Sequence, residues 1–144
     1  MVGCILTGHG TFADGVGGAL EMVGGPQSNF QKVTFLEEEA AEFPAKLAGA
    51  IQEMAEKCGE VVVFCDLLGG TPFNQAMMAA AGTPGVRVVT GANLPMLLEC
   101  MSLRNDSTTG EELVQTAVEI GQMGIAAPVL DATAADEPED GDGI

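Results

Sequence analysis

The chain has 144 residues, a length typical of one domain, and 47% of them are apolar, which is enough to form a hydrophobic core. Lys and Arg number 5 against 21 Asp and Glu, so the formal net charge is −16, which argues against binding to nucleic acid or to an anionic membrane surface. Trp and Tyr are absent, which removes most of the aromatic side chains on which single-stranded nucleic acids stack.

Strand-like and helix-like patterns alternate along the chain. Apolar, β-branched runs predict strands at residues 2–8, 30–36, 60–67 and 86–90. Apolar residues at helical spacing predict helices at residues 12–23, 39–57, 71–81, 94–104 and 108–124. Because parallel neighbours need crossover connections, this alternation predicts an α/β domain, with a doubly wound, mainly parallel sheet of order 2-1-3-4 and helices on both faces.

Two of the helices begin at residues typical of helix starts. Thr71 followed by Pro72 predicts an N-cap with proline at the first helical position of the third helix. Thr108 and Glu111 predict a capping box for the last helix. Pro44 is compatible with the second helix only near its first turn.

The chain shows no targeting, membrane or metal pattern. No apolar run approaches the ~18–20 residues of a membrane helix, and no basic segment precedes the first strand, so we expect a cytoplasmic protein without membrane insertion. The cysteines form no C-x-x-C pair, which favours reduced, buried thiols over a disulfide framework. One histidine and scattered cysteines supply a zinc site poorly, so no metal is expected.

The ends of the predicted strands carry the polar residues of interest, because ligands bind α/β sheets at the carboxyl ends of strands where the strand order reverses. The first strand ends in the sequence TGHG, which contains His9, the sole histidine. The third ends at Asp66, a carboxylate that is costly in an apolar strand unless it has a partner. With the order 2-1-3-4 these two strands are neighbours, so His9 and Asp66 are predicted to face each other.

This pair of residues suits group transfer through the imidazole. A carboxylate that accepts a hydrogen bond from one ring nitrogen fixes the tautomer and leaves the other nitrogen as a nucleophile. Gly10 beside His9 leaves space for a partner or an anion. The alternatives are a loop histidine without a task and an Asp66 that only caps nearby backbone amides.

The segment Gly69-Gly70-Thr71 follows Asp66 and leads into the third helix. Free amides and the positive end of a helix dipole form an anion site there, with the Thr71 hydroxyl as a further donor. A plain helix start is the alternative reading of this segment. Beside His9 and Asp66, it completes an acceptor nitrogen, an orienting carboxylate and a phosphate cradle.

A competing hypothesis uses the first strand–helix turn. Residues 8–13 fit the dinucleotide pattern G-x-G-x-x-A, which predicts a small nucleotide- or dinucleotide-binding regulatory module. The chain is about half the length of a typical dehydrogenase, and its acidic residues after the second strand come some thirty residues on, later than the usual ~20. The hydrolase pattern G-x-S-x-G is absent.

Taken together, the strand ends resemble the enzyme IIA domain of the mannose family of the bacterial sugar phosphotransferase system. Three motifs carry this resemblance, in order and each at a strand end: TGHG at residues 7–10, DLLGGTPFN at 66–74 and GANLPML at 91–97. The resemblance covers residues 3 to about 127. It implies a phosphotransferase that needs no cofactor and that works as a relay between proteins.

The resemblance also implies roles for individual residues and partners. His9 would accept a phosphoryl group on Nε2 from the carrier HPr and pass it to an enzyme IIB partner, with the membrane components IIC and IID involved only indirectly. Asp66 would orient the ring, and Thr71 would contact the phosphoryl group, with Gly10, Gly69 and Gly70 lining its site. The sugar is not encoded in these motifs, because a IIA protein does not touch it.

The C-terminal part of the chain is predicted to hold an assembly strand and a tail. The resemblance implies a homodimer that exchanges an antiparallel C-terminal strand, and the apolar residues 125–130 are predicted to be that strand. Pro128 lacks an amide proton, so it is expected where no ladder bond is required. We therefore expect a domain at residues 1–130, followed by an acidic, disordered tail at residues 131–144.

Overall fold

Strands and helices alternate along residues 1–131, the part of the chain that the computed structural model describes. In chain order the elements are β1 (Gly3–His9), α1 (Phe12–Gly24), β2 (Phe30–Phe35), a 3₁₀ turn (Glu37–Glu39), α2 (Phe43–Cys58), β3 (Val61–Cys65), α3 (Gly70–Gly82), β4 (Val86–Val89), α4 (Leu94–Leu103) and α5 (Gly110–Met123). This order confirms the alternation predicted from the sequence.

The strands form one parallel sheet in the order β2-β1-β3-β4, as predicted. Helices cover both faces, because successive residues of a buried strand point to opposite sides. One core cluster joins α1, α4 and α5 to Leu6 and Phe64, and the other joins α2 and α3 to Ile5 and Val63. The strand order reverses between β1 and β3, so the carboxyl ends of these two strands form the crevice of the sheet.

The second helix begins later than predicted. Residues Glu37–Glu39 form the 3₁₀ turn, and α2 starts only at Phe43. Pro44 therefore lies in the first turn, where no intrahelical bond needs its missing N–H. A helix from residue 39 would have placed this proline at an interior position that requires an N–H donor, which explains the difference.

The prediction that Thr71 is the N-cap of α3 was wrong. The helix begins at Gly70 with Gly69 as its N-cap, so Thr71 occupies the second helical position. Both glycines have positive φ angles, +90° for Gly69 and +82° for Gly70, and this backbone turns the chain directly into the helix without a side-chain cap. Pro72 lies in the first turn, where its lack of an N–H is tolerated.

The capping box of α5 lies one residue beyond the predicted pair, Thr108 and Glu111. The Thr109 hydroxyl accepts from the backbone N–H of Glu112 at 3.2 Å, and the Glu112 carboxylate accepts from the backbone N–H of Thr109 at 2.8 Å. The Thr108 hydroxyl instead accepts from the backbone N–H of Asn105 at 3.1 Å. Because Thr108 and Thr109 are adjacent, the sequence allows either of them to be the N-cap of α5. The hydrogen bond of Thr108 within the loop after α4 leaves Thr109 as the N-cap.

Arg104, directly after α4, ties together the amino ends of the sheet. Its guanidinium is buried and donates to three backbone carbonyl oxygens, those of Val2, Ser28 and Asn29. Such a buried charge is tolerated because both terminal nitrogens of the guanidinium are hydrogen-bonded, while Nε has no partner within residues 1–131. The start of β1 and the loop before β2 are thus fixed by one side chain.

Residues 125–130 form no strand within this single chain. They follow α5 without secondary structure, and Leu130 is 96% exposed. The exchanged strand is a prediction about a dimer and remains one. The tail was predicted at residues 131–144, and its residues from 132 onward lie outside the part of the chain that the structure describes. Within residues 1–131, no helix combines the length and the apolar character needed to cross a bilayer.

Candidate active site

His9 is the last residue of β1, at the crevice where the strand order reverses. Its side chain is 46% exposed, although the six residues of β1 before it are buried. The following residue, Gly10, has a φ of +56° and turns the chain toward α1. A buried central strand thus delivers one imidazole to the surface from a rigid support.

Asp66 holds this imidazole from the side of β3. Its Oδ2 lies 2.8 Å from His9 Nδ1 and accepts from the His9 backbone N–H at 2.9 Å, while Oδ1 accepts from the Leu67 backbone N–H at 2.9 Å. Since a carboxylate only accepts, Nδ1 carries the hydrogen of this bond. In the neutral ring, this arrangement leaves the lone pair on Nε2.

The same contacts determine the charge state of Asp66, whose side chain is only 11% exposed. Burial acts to raise the pKa of this carboxyl, but the hydrogen bonds from the His9 backbone and ring, together with the charge of the ring and the Leu67 amide, outweigh it. The net effect lowers the pKa of Asp66 below its ordinary value. The carboxylate is thus ionised at neutral pH, as its role as an acceptor requires.

Gly70, the first residue of α3, lies beside the Cε1 and Nε2 atoms of the ring. A Cβ built at this position would be 2.9 Å from His9 Cε1 and 3.2 Å from Nε2, closer than ordinary contact. The amino end of α3 therefore approaches Nε2, and the unbonded amides and dipole of a helix start favour an anion there. His9, Asp66 and Gly70 form the candidate active site.

The structure distributes the remaining predicted residues around this site. Thr71 and Gly69 flank Gly70 in the chain, and no hydrogen bond within residues 1–131 involves the Thr71 hydroxyl. The Gly10 amide already donates to the Phe35 carbonyl at 2.8 Å, so Gly10 contributes space more than a free donor. Space is open around both Gly10 and Gly69, since a Cβ at either would have no neighbour within 4 Å.

Sequence reasoning missed Phe35, the last residue of β2. Its ring stands edge to face with the His9 ring, with 5.7 Å between centroids and 69° between planes. The ring of Phe43, which is buried in the core, packs against the ring of Phe35 with 4.7 Å between the two centroids. The signal was available, because parallel pairing of β1 with β2 brings His9 into register with Phe35.

A depression of about 490 Å³ opens beside the imidazole on the side of β2. Phe35 and Leu36 line it together with Glu37 and Glu38 of the 3₁₀ turn. The approach to His9 is therefore acidic on this side. Among residues 1–131, no three His, Cys, Asp or Glu side chains are grouped to hold a metal ion.

The glycine pattern at residues 8–13 has a different explanation in this structure. A Cβ on Gly8 would lie 2.8 Å from the Cβ of Asp66 and 2.6 Å from the ring of Phe12. Gly8 is thus required for the approach of Asp66 to His9. The competing nucleotide-binding hypothesis is not favoured.

Comparison with known proteins supports the same interpretation as the site. Residues 3–118 match the family EIIA-man, described as the PTS system fructose IIA component. The chain belongs to this family. The EIIA-man match confirms the resemblance that the three strand-end motifs indicated, and it spans His9, Asp66 and Gly70.

Two curated relatives illustrate the extent of the similarity. The mannose-specific EIIAB component of Escherichia coli K12 is 31% identical over 126 residues, which cover 88% of this chain and 39% of that protein. The fructose-specific EIIA component of Bacillus subtilis is 33% identical over 105 residues, which cover 72% of this chain and 71% of that protein. The chain thus spans about two fifths of the EIIAB relative.

Solved EIIA structures share the fold. The mannose/sorbose specific IIA subunit from Enterococcus faecalis has a TM-score of 0.81 at 31% identity, covering 90% of this chain and 96% of that one. The phosphotransferase system component EIIA from Streptococcus agalactiae has a TM-score of 0.78 at 29% identity, covering 88% and 97%. The sheet order and the helices on both faces are therefore those of IIA proteins.

Proposed function

We propose that this chain relays a phosphoryl group in a sugar phosphotransferase system, accepting it on His9 from phosphorylated HPr and passing it to an enzyme IIB partner. The observation that carries the proposal is the 2.8 Å contact between His9 Nδ1 and Asp66 Oδ2, which leaves Nε2 free at the amino end of α3. Membership of the EIIA-man family supports the same role. The chain acts as a phosphotransferase through its own side chains, without a cofactor.

The transfer step exchanges one phosphorus–nitrogen bond for another. The Nε2 lone pair of His9 attacks the phosphorus, and the bond to the donor's nitrogen breaks, with its electron pair returning to the donor. The hydrogen on Nδ1 stays with the ring and its bond to Asp66, which stabilises the positive charge that develops there. The same step in reverse releases the phosphoryl group to the acceptor.

The amino end of α3 stabilises the transferring group. The first turn of α3 lies close to Nε2, and its amides, together with the Thr71 hydroxyl at the second helical position, serve as donors to the phosphoryl oxygens. Gly69 and Gly10 leave open space for these oxygens. Such fixed donors act equally in both directions, as a relay requires.

The partners and assembly follow from this role. The chain works in the cytoplasm between HPr and IIB, and the membrane components IIC and IID take part only indirectly, because IIB passes the phosphoryl group to the incoming sugar. Its relatives bear the names of mannose, fructose and sorbose systems, and we assign no one sugar because the chain does not contact it. The domain of residues 1–130 forms a homodimer in which residues 125–130 are exchanged as an antiparallel strand onto an edge of the partner's sheet.

Mass spectrometry after incubation with phosphorylated HPr tests the proposal. We expect one phosphoryl adduct that is labile in acid and stable in base, and no adduct on His9→Ala. Asp66→Asn should remain folded and transfer about 10²–10⁴-fold more slowly, because the tautomer and the ring charge lose their partner. An adduct on His9→Ala, or unchanged kinetics in Asp66→Asn, contradicts the mechanism.

A further inference from the structure

The segment that follows Asp66 differs in composition from the rest of this acidic chain. Residues 67–86 contain no Asp, Glu, Lys, Arg or His. Charged residues make up 18% of the whole chain, so twenty residues would ordinarily hold about four. The uncharged run includes all of α3 and the loop that leads from β3 to the active site.

Part of this run is an exposed apolar surface that begins at the active site. Leu67 and Leu68 lie in the loop before Gly70, and Leu68 is 74% exposed. On α3, Asn74, Met77 and Met78 point outward, on the side opposite the buried Pro72 and Ala76, and Met78 is 68% exposed. We call Leu67, Leu68, Asn74, Met77 and Met78 the α3 face.

The opposite side of His9 has the opposite character. Glu37 and Glu38, after β2, line the depression that His9 shares with them. Since β1 lies between β2 and β3, the imidazole stands at a boundary between an acidic surface and an uncharged, apolar one. A protein large enough to cover His9 therefore faces both surfaces.

We propose that the α3 face is the docking surface for the phosphoryl-donor protein. The donor's reactive residue lies between an apolar patch, which covers the α3 face, and a basic patch, which faces Glu37 and Glu38. This inference rests on the proposed function and adds the chemistry and orientation of the partner.

Two arguments favour the donor as the occupant. First, the α3 face adjoins Gly70, where a Cβ would lie 2.9 Å from His9 Cε1, so a second copy seated there would cover the approach to Nε2. Second, a phosphorylated donor approaching a chain of net charge −16 needs basic side chains to offset repulsion, and the acidic side of His9 receives them. Leu and Met exposed in an uncharged patch are typical of the apolar centre of a protein interface.

The test compares two phosphoryl donors on the same variants. Met78→Glu and Leu68→Asp place charge on the α3 face, and Met22→Glu is the matched control, because Met22 is 72% exposed on α1, across the sheet from α3. Initial rates are measured with phosphorylated HPr over a range of concentrations. Phosphoramidate, a small donor that transfers to an imidazole with loss of ammonia, reports the chemistry of His9 without docking.

We expect Met78→Glu and Leu68→Asp to raise the KM for phosphorylated HPr roughly tenfold. Their reaction with phosphoramidate should match wild type, as should both reactions of Met22→Glu. Replacing both Glu37 and Glu38 by Gln should reduce the loss of rate that added salt causes with phosphorylated HPr.

Several results would overturn the inference. If both α3-face variants keep the wild-type KM for phosphorylated HPr, the α3 face is not the docking surface. If the variants react more slowly with both phosphorylated HPr and phosphoramidate, to the same extent, the substitutions act on the active site itself. Dissociation of a dimer by Met78→Glu in sedimentation assigns the face to a second copy. Salt dependence that is the same with and without Glu37 and Glu38 refutes the orientation. A wild-type chain that reacts with neither donor refutes the proposed function, and the docking surface with it.

Discussion

Replacing Gly70 by alanine tests the geometry of the active site directly. The new Cβ would lie 2.9 Å from His9 Cε1, whereas ordinary contact begins at 3.4 Å, so the ring must move by about half an ångström or more. That movement distorts the 2.8 Å contact between His9 Nδ1 and Asp66 Oδ2 and displaces Nε2 from its position beside α3. Misplacement of a reacting group by ~1 Å costs about 10²-fold in rate, and we expect a loss of roughly 10- to 100-fold.

The backbone of Gly70 also contributes to the effect and needs its own control. Its φ of +82° is strained for alanine, at a cost of about 1–3 kcal/mol in the free energy of unfolding. Gly69 has a φ of +90°, and a Cβ there meets no atom within 4 Å. Gly69→Ala therefore carries a similar backbone strain without contacting the imidazole.

The assay is the rate of phosphoryl transfer from phosphorylated HPr, together with urea unfolding of both variants. We expect Gly69→Ala and Gly70→Ala to lose similar stability and only Gly70→Ala to lose most of its transfer rate. Equal transfer rates in the two variants would refute the idea that the amino end of α3 sets the position of the imidazole.

Three further predictions concern titration, thiols and assembly. The lowered pKa of Asp66 means that its carboxylate stabilises the fold above the ordinary Asp pKa of ~3.9 and that this contribution is lost as pH falls through the lowered value. The difference in free energy of unfolding between wild type and Asp66→Asn should accordingly shrink below about pH 4, and a constant difference contradicts this. Burial raises the pKa values of the thiols of Cys4, Cys65 and Cys100 to about 12. At pH 8 a thiol reagent should therefore modify only the half-buried Cys58 in the folded protein and all four thiols after unfolding. Modification of a second thiol in the folded protein would contradict the packing of the three buried cysteines. Truncation after Gly124 should give monomer or aggregate in sedimentation, whereas truncation after Asp131 should leave the dimer intact, and a full-length chain that sediments as a monomer at micromolar concentration rules out the exchanged strand.

The sheet order and the meeting of His9 with Asp66 were predictable because both depend on strong signals. β3 is five apolar residues, all buried, and only a strand covered on both faces needs such a run. Once β1 and β3 are neighbours, the residues that end them must lie close together, whatever the details of the loops. The predicted hydrogen bond between the carboxylate and the ring is present.

The details that sequence reasoning missed depend on single contacts. Thr108 and Thr109 differ little in capping propensity, and a hydrogen bond from the Asn105 amide decides between them. The start of α3 depends on two positive φ angles that glycine permits and does not require. The apolar alternation of residues 30–36 placed Phe35 in a strand. Its contact with His9 follows only from the register between β1 and β2, which pairs these two residues.

Arg104 has a consequence for the order in which this domain is completed during synthesis. The carbonyl of Val2 accepts from a side chain 102 positions later, and the carbonyls of Ser28 and Asn29 from the same side chain 76 and 75 positions later. A ribosome releases all four strands before it releases Arg104. Until then these carbonyls lack the guanidinium donors, although the Asn29 carbonyl can already accept from the Cys4 backbone N–H. Contacts so distant in sequence also slow folding, because a long loop must close before they form.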